Sequence, residues 1–192
     1  MKALNEAIRR EGVGIGDGIV KVDSFLNHRV DVGLATQMGQ AFRDAFQGEQ
    51  VDCILTVEAS GIAVAITTAQ ALGNIPVVFA KKGDHSNVGH DVYTAQVYSF
   101  THQHLNTICV SRQYLREGMR VLIIDDFLAN GEAIEGLRSI LRQARCELVG
   151  AGVCVEKGFQ PGGARLRQEG IKVVALATVE SIADGNIVLR DD

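Results

Sequence analysis

VLIIDDFLANGEA, residues 121–133, passes from four apolar residues through two adjacent acids into a glycine-containing turn and then into a segment fit for a helix. Four consecutive residues of this kind suit a buried strand. The turn at residues 129–133 leads into a helix whose first backbone N–H groups lack intrahelical partners, and such a terminus attracts phosphate. Asp125 and Asp126 stand beside that anion. Carboxylates are poor phosphate ligands there, but they suit the hydroxyls of a ribose ring or a hydrated Mg2+ on a polyphosphate. The order of strand, acid pair, turn and helix therefore predicts a sugar-phosphate site. A P-loop is excluded, because no G-x-x-x-x-G-K-[ST] occurs and Glu132 follows Gly131 where that motif needs lysine.

Outward from this run, apolar stretches at residues 53–57, 77–80, 121–124, 149–155 and 173–176 alternate with helix-compatible segments. That alternation predicts an α/β fold with a mainly parallel central sheet flanked by helices. Leu34, Met38, Phe42 and Phe46 recur every four residues, so residues 34–46 are expected to form an amphipathic helix covering the sheet. A second helix is expected over residues 132–145, with Ile134, Leu137, Ile140 and Leu141 facing inward and Arg138, Arg142 and Arg145 solvated. Residues 83–91, GDHSNVGHD, are polar and aperiodic, and read as a mobile loop leading into a two-stranded element at 93–100 and 107–111. Pro76 begins a strand and Pro161 a loop. No repeat or low-complexity linker divides the 192 residues, so a single domain is expected, with about the first 30 residues folding over the sheet edge.

At 46% hydrophobic and 22% charged, the chain can bury a substantial core. Nineteen basic against 23 acidic residues leave a formal charge of -4, which offers no broad footprint for DNA or RNA and favours small ligands. Cys53, Cys109, Cys146 and Cys154 lack C-x-x-C spacing, and three lie in apolar strand-like segments; a reduced, cytoplasmic protein is expected. The start, MKALNEAIRREG, is charged and amphipathic rather than signal-like, and no apolar run approaches a membrane span. His28, His85, His90, His102 and His104 show no ligand spacing, so no zinc site is expected, and no G-x-S-x-G nucleophile elbow occurs.

Other residues converge on the same sheet edge. Glu58, Ala59, Ser60 and Gly61 link a strand to a helix start, and their N–H groups with the Ser60 hydroxyl suit a second phosphate, although Ser60 also suits an ordinary helix cap. A sugar carrying both a phosphate and a pyrophosphate needs two such cradles. Lys81 and Lys82 end a strand where ligands of open α/β folds collect, so a lysine there can neutralise departing pyrophosphate; solvated surface is the plainer reading. Lys157 leaves a mostly apolar strand, and its ammonium, which only donates hydrogen bonds, would select a carbonyl oxygen. Phe127 and Phe159 can stack on a flat heterocycle, or serve as core.

Residues 121–133 resemble the phosphoribosyl diphosphate (PRPP) motif of type I phosphoribosyltransferases. VDSFLNH (22–28), VYSFT (97–101), IDDFLANG (124–131) and EKGFQPG (156–162) resemble segments of the xanthine-using bacterial members of the type I purine phosphoribosyltransferase family. The resemblance implies the type I phosphoribosyltransferase fold, with a small N-terminal hood and a mobile loop and hairpin. It implies a homodimeric purine-salvage enzyme that converts xanthine and PRPP, carried with Mg2+, to xanthosine monophosphate (XMP) and pyrophosphate. Carried over by residue, Ala129, Asn130, Gly131, Glu132 and Ala133 would hold the PRPP phosphate and Asp125 with Asp126 its ribose hydroxyls, while Val20, Asn27 and Lys157 would contact xanthine. Departures at Lys81-Lys82, where the family carries Arg-Lys, and in the less basic residues 83–91 bear on pyrophosphate affinity rather than reaction type. Mg2+ and Lys82 would stabilise the leaving group, Asp125 and Asp126 the cationic sugar, with the segment from Lys82 to about Gln103 closing over them. A hypoxanthine or guanine enzyme shares this chemistry. A PRPP-sensing, nucleic-acid-binding regulator on the same fold would need a basic stripe or helix-turn-helix that the sequence lacks.

Overall fold

The computed structural model describes residues 1–83, 91–99 and 104–190. In chain order its elements are α1 (Lys2–Glu11), β1 (Val13–Ile15), β2 (Ile19–Lys21), a π-helical turn (Asp23–Asn27), α2 (Val32–Ala45), β3 (Cys53–Val57), α3 (Gly61–Ala71), β4 (Val77–Lys82), β5 (Val92–Ser99) and β6 (His104–Ser111). A 3-10 turn (Arg112–Tyr114), β7 (Arg120–Leu128), α4 (Glu132–Ala144), β8 (Glu147–Lys157), α5 (Gly162–Gln168), β9 (Val173–Ala183) and β10 (Asn186–Leu189) complete it. The expected loop is described only at its ends, since residues 84–90 lie outside the described residues, as do Phe100, Thr101, His102 and Gln103.

Eight strands form one sheet in the order β10-β9-β8-β7-β3-β4-β6-β5, while β1 and β2 pair only with each other. The central strands β4, β3, β7, β8 and β9 are parallel, and β10, β6 and β5 join antiparallel. From β3 the chain moves outward to β4 on one side, and from β7 to β8 and β9 on the other. The crevice between β3 and β7 is thus the switch point at which open α/β sheets collect ligands beyond their carboxyl ends.

The periodicities that predicted the helices also place them. α2 buries Leu34, Met38 and Phe42, followed by Phe46, against Ile54, Leu122, Ile124 and Cys154 on one face of the sheet. Asp31 caps α2, accepting a hydrogen bond from the Leu34 N–H at 2.9 Å. On the other face α4 buries Ile134, Leu137, Ile140 and Leu141 against Cys53, Leu55, Val121 and Ile123. Leu4 and Ile8 of α1, with Val22 and Phe25 of the π-helical region, join the same cluster as α2, and α1 packs along β9 and β10 at the sheet edge. Among the described residues no helix is long and apolar enough to cross a membrane.

Three expectations change. β7 ends at Leu128 rather than Ile124, so Asp125 and Phe127 are held opposite Val153 and Val155 of β8 instead of in a free turn. β9 continues past Leu176 to Ala183, because its polar second half pairs with β10. Arg138 is not solvated; it is half-buried between Glu135 and Glu169, with Nη1 at 2.5 and 2.6 Å from their carboxylates, because the segment after α5 covers that flank of α4.

Candidate active site

A cavity of about 590 Å3, within the usual range for small-ligand sites, opens above the carboxyl ends of the central strands. Its wall includes Val57 and Lys82, the continuous stretch from Phe127 to Ile134, Lys157 and Gln160, with Val97, Tyr98 and Asn106 from the β5–β6 pair and Gly18 and Ile19 from the N-terminal hairpin. All five of the expected phosphate-site residues, Ala129, Asn130, Gly131, Glu132 and Ala133, therefore share one space with Lys82, Lys157 and Phe127.

The turn after β7 is shaped by Gly131. Its φ of +87° is a left-handed conformation open to glycine without penalty, and its carbonyl accepts the Glu135 N–H at 2.9 Å as the first bond of α4. The N–H groups of Glu132, Ala133 and Ile134 open the helix toward the cavity wall. α5 packs behind the turn, with the Gly162 N–H donating to the Ala129 carbonyl at 3.2 Å.

Asp125 is 4% exposed, and its Oδ1 accepts the Asp126 N–H at 3.0 Å. Gly61 makes this burial possible, because a Cβ there would collide with Thr56 Oγ1 and stand 2.8 Å from Asp125 Oδ1. Burial first, and the neighbouring Asp126 charge second, push the Asp125 carboxyl well above the ordinary carboxylate range. Asp126 is half-buried, and its Oδ2 lies 3.5 Å from Asn27 Nδ2, which brings the N-terminal segment to the acid pair across 99 residues of chain.

Lys157 and Phe127 lie side by side on the cavity wall. The ammonium lies 5.9 Å from the Phe127 ring centroid and donates to the Gly18 carbonyl at 2.6 Å, closing the hairpin tip over the cavity. Burial lowers its pKa from the ordinary lysine value. Glu58 Oε1 accepts the Lys82 N–H at 2.6 Å, tying the turn after β3 to the end of β4. The peptide between Glu58 and Ala59 is cis. Ser60 makes no side-chain cap bond to α3, so the ordinary-cap reading of that residue is not realised.

Other expected residues lie elsewhere. Val20 turns its side chain into the core, leaving its neighbours Gly18 and Ile19 on the cavity, so it can meet a ligand only through its backbone. Phe159 is 38% exposed and off the cavity wall; Gln160 stands there instead, with a buried Oε1 lacking a hydrogen-bond partner among the described residues. Lys81 alternates to the opposite side of β4 and lines a separate cleft. Gly18, Ile19 and Gln160 were not singled out from the sequence, since nothing local marks a hairpin tip 139 residues from its partner.

Among the described residues no cluster of three or more His, Cys, Asp or Glu is placed to hold a metal by itself. Asp125 and Asp126 are two adjacent carboxylates, the number with which a Mg2+ carried on a polyphosphate could be held.

A family model described as "Phosphoribosyl transferase domain" matches residues 23–184. Xanthine phosphoribosyltransferase of Clostridioides difficile is 50% identical over 190 residues, covering 99% of this chain and 100% of its own. The protein of that name from Alkaliphilus metalliredigens is 49% identical over 192 residues, covering 100% of this chain and 95% of its own. Among crystal structures, APRTase from Giardia lamblia complexed with 9-deazaadenine superposes with a TM-score of 0.77 at 17% identity, over 91% of this chain and 97% of that one. Adenine phosphoribosyltransferase from Rhodothermus marinus superposes with a TM-score of 0.73 at 19% identity, over 93% and 100%. At such identity the two structures establish a shared fold.

Proposed function

The chain belongs to the phosphoribosyltransferase family, and from that premise we propose that it transfers the phosphoribosyl group of PRPP to xanthine, releasing pyrophosphate and forming XMP in purine salvage. One observation carries the reading to these residues: the α4 amino end and the donor-only Lys157 ammonium face the same cavity, whose wall takes up the chain at Phe127, the residue that follows the acid pair. A phosphate has its complement at the α4 amino end, a base carbonyl at Lys157 and the ribose hydroxyls at the acid pair.

The C–O bond from the anomeric carbon to pyrophosphate breaks, its electron pair leaving with pyrophosphate, while a purine ring nitrogen forms the new C–N bond through an oxocarbenium-like transition state and the base gives up its imidazole-ring proton. Alignment and charge supply the rate enhancement, with no covalent nucleophile on the protein. Residues Ala129, Asn130, Gly131, Glu132 and Ala133 hold the 5′-phosphate through backbone N–H groups at the α4 terminus. Asp125 and Asp126 take the ribose hydroxyls and favour positive charge developing on the sugar. The turn of Glu58, Ala59, Ser60 and Gly61 receives the pyrophosphate, with Lys82 beside the departing oxygen. Lys157 donates to a xanthine carbonyl, Asn27 and the backbone at Val20 complete the base contacts, and Phe127 stacks on the ring. Asp126, with Asp125, would hold a Mg2+ carried with PRPP, which when bound would supply neutralising charge to the leaving group.

Residues 1–192 act as one phosphoribosyltransferase domain in this reading, supported by the contribution of α1 and the π-helical region to the core under α2. The enzyme works in the cytoplasm as a homodimer. Four free cysteines support the first statement, and the apolar cleft along β4 and β6, where Phe79 and Tyr114 are exposed, supports the second.

The test is PRPP- and Mg2+-dependent nucleotide formation with xanthine, hypoxanthine, guanine and adenine offered separately, repeated with Asp126→Asn. Preference for xanthine, lost in the variant, is expected. Turnover of hypoxanthine alone would refute the base assignment, and PRPP binding without any turnover would refute the enzyme reading.

A further inference from the structure

Behind the phosphate turn lies a guanidinium that the mechanism has not used. Arg165 Nη2 donates to the Asn130 carbonyl at 3.0 Å, its one side-chain hydrogen bond among the described residues. Among these residues, Arg120, Arg138, Arg145, Arg167 and Arg190 each pair with a carboxylate, and Arg165 does not. A half-buried cation with no counter-ion among the described residues therefore sits directly behind the turn assigned to the phosphate. A Cβ built on Gly131 would lie 3.3 Å from the same Nη2, which measures how close that charge stands to the turn.

The rest of α5 is fitted to this contact. Gly162 presses on the turn so closely that a Cβ there would collide with the Ala129 carbonyl oxygen and stand 2.7 Å from the Gly131 nitrogen. From the other side the buried Glu156 carboxylate grips Arg167 with two bonds of 2.7 Å, Oε1 to Nη1 and Oε2 to Nη2. Gly163 lets that carboxylate approach, since a Cβ there would collide with it. Glu156 adjoins Lys157, so one stretch of β8 carries both the base-side ammonium and the anchor of α5.

We infer that Arg165 is a positioning residue for PRPP, holding the Asn130 carbonyl so that the turn presents its N–H groups to the 5′-phosphate. In a trans peptide C=O and N–H point in opposite directions, so fixing the Asn130 oxygen fixes the direction of the Gly131 N–H. Donation to the carbonyl also polarises that peptide and strengthens its N–H as a donor, and the unpaired positive charge adds attraction for the phosphate from behind. Its effect falls on the sugar phosphate and not on the base.

This inference rests on the phosphoribosyl-transfer reading, and the experiment separates the two. Arg165→Met and Arg165→Lys are compared with wild type in three readouts: KM for PRPP, KM for xanthine, and the Kd of ribose 5-phosphate by calorimetry. Arg165→Met is expected to raise the PRPP KM and the ribose 5-phosphate Kd about tenfold while the xanthine KM changes less than about twofold. Arg165→Lys, which keeps the charge but loses the planar fork, is expected to recover part of the loss. A ribose 5-phosphate Kd changed less than about twofold in Arg165→Met would overturn the inference, as would equal increases in both KM values with a lowered Tm. Arg165-dependent binding of ribose 5-phosphate by a protein that turns over no base would leave the positioning role standing and remove the assigned reaction.

Discussion

Replacing Asp125 with Asn should abolish transfer and make the protein more stable. The carboxyl is 4% exposed, receives one backbone N–H at 3.0 Å and adjoins a second acid, so its charge is buried against a like charge with little compensation. Asn keeps the size and can keep the bond through its own oxygen. Removing an undercompensated buried charge is worth about 2 kcal/mol, which for a chain of this length moves Tm by roughly 4 to 8 °C. The dependence on pH follows from the raised pKa. With the native carboxyl titrating above its unfolded value, the folded state binds more protons, so wild type loses stability as pH rises from the ordinary carboxylate range through the native pKa. The Asn variant lacks this loss, so its advantage is full where wild-type Asp125 is charged and vanishes at acid pH where the carboxyl is protonated in both states. Thermal melts of both proteins, without ligands, from acid to neutral pH would measure it. A Tm at neutral pH no higher than wild type, or a gain that persists undiminished at acid pH, would refute the argument from burial.

Other outcomes follow from geometry described above. Lys157→Met removes both the bond to the Gly18 carbonyl and the donor to the base, and should raise the xanthine KM at least about tenfold with a smaller effect on PRPP, read in initial-rate kinetics. Arg167→Met strands the buried Glu156 carboxylate and should cost about 2 kcal/mol, less than a fully buried pair because Arg167 is partly solvated; adding Glu156→Gln should restore part of the urea midpoint. Cys53, Cys109 and Cys154 are buried, and burial pushes the Cys53 thiol up to about 12, so a thiol reagent should label only the half-buried Cys146 in the native protein and all four residues after denaturation, as mass spectrometry would show.

What could be read in the chain beforehand followed local pattern. The 53–57 strand, the four-residue spacing of α2 and the inward face of α4 are encoded within single elements, and each appears where its pattern put it. Boundaries were less legible: β7 and β9 outrun their apolar stretches because their ends are held by neighbouring strands, which no local property reports. The same limit applied to the site. Asp125, Asp126, Lys82 and Lys157 were singled out because strand ends mark a sheet edge, while β1 and β2, at three residues each, were too short for a period to show. Gln160 stood inside the EKGFQPG segment and Arg165 three residues past its end, but their directions depend on how α5 folds back on the turn. Arg138 was misplaced for a like reason: its helical position predicts a solvated face, and Glu169, 31 residues on, covers it.

The hairpin of β1 and β2 belongs to no ladder of the main sheet; it is tethered by the Gly14 N–H on the Gly185 carbonyl at 3.0 Å and by Lys157 at its tip. A change at Ile19, which faces the cavity from this detached ribbon, disturbs no strand pairing of the eight-stranded sheet. The part of the wall nearest Lys157 can thus vary from one lineage to the next while the sugar-phosphate machinery is inherited intact. Descent can try new partners on one side of the cavity without risking the foundation on the other.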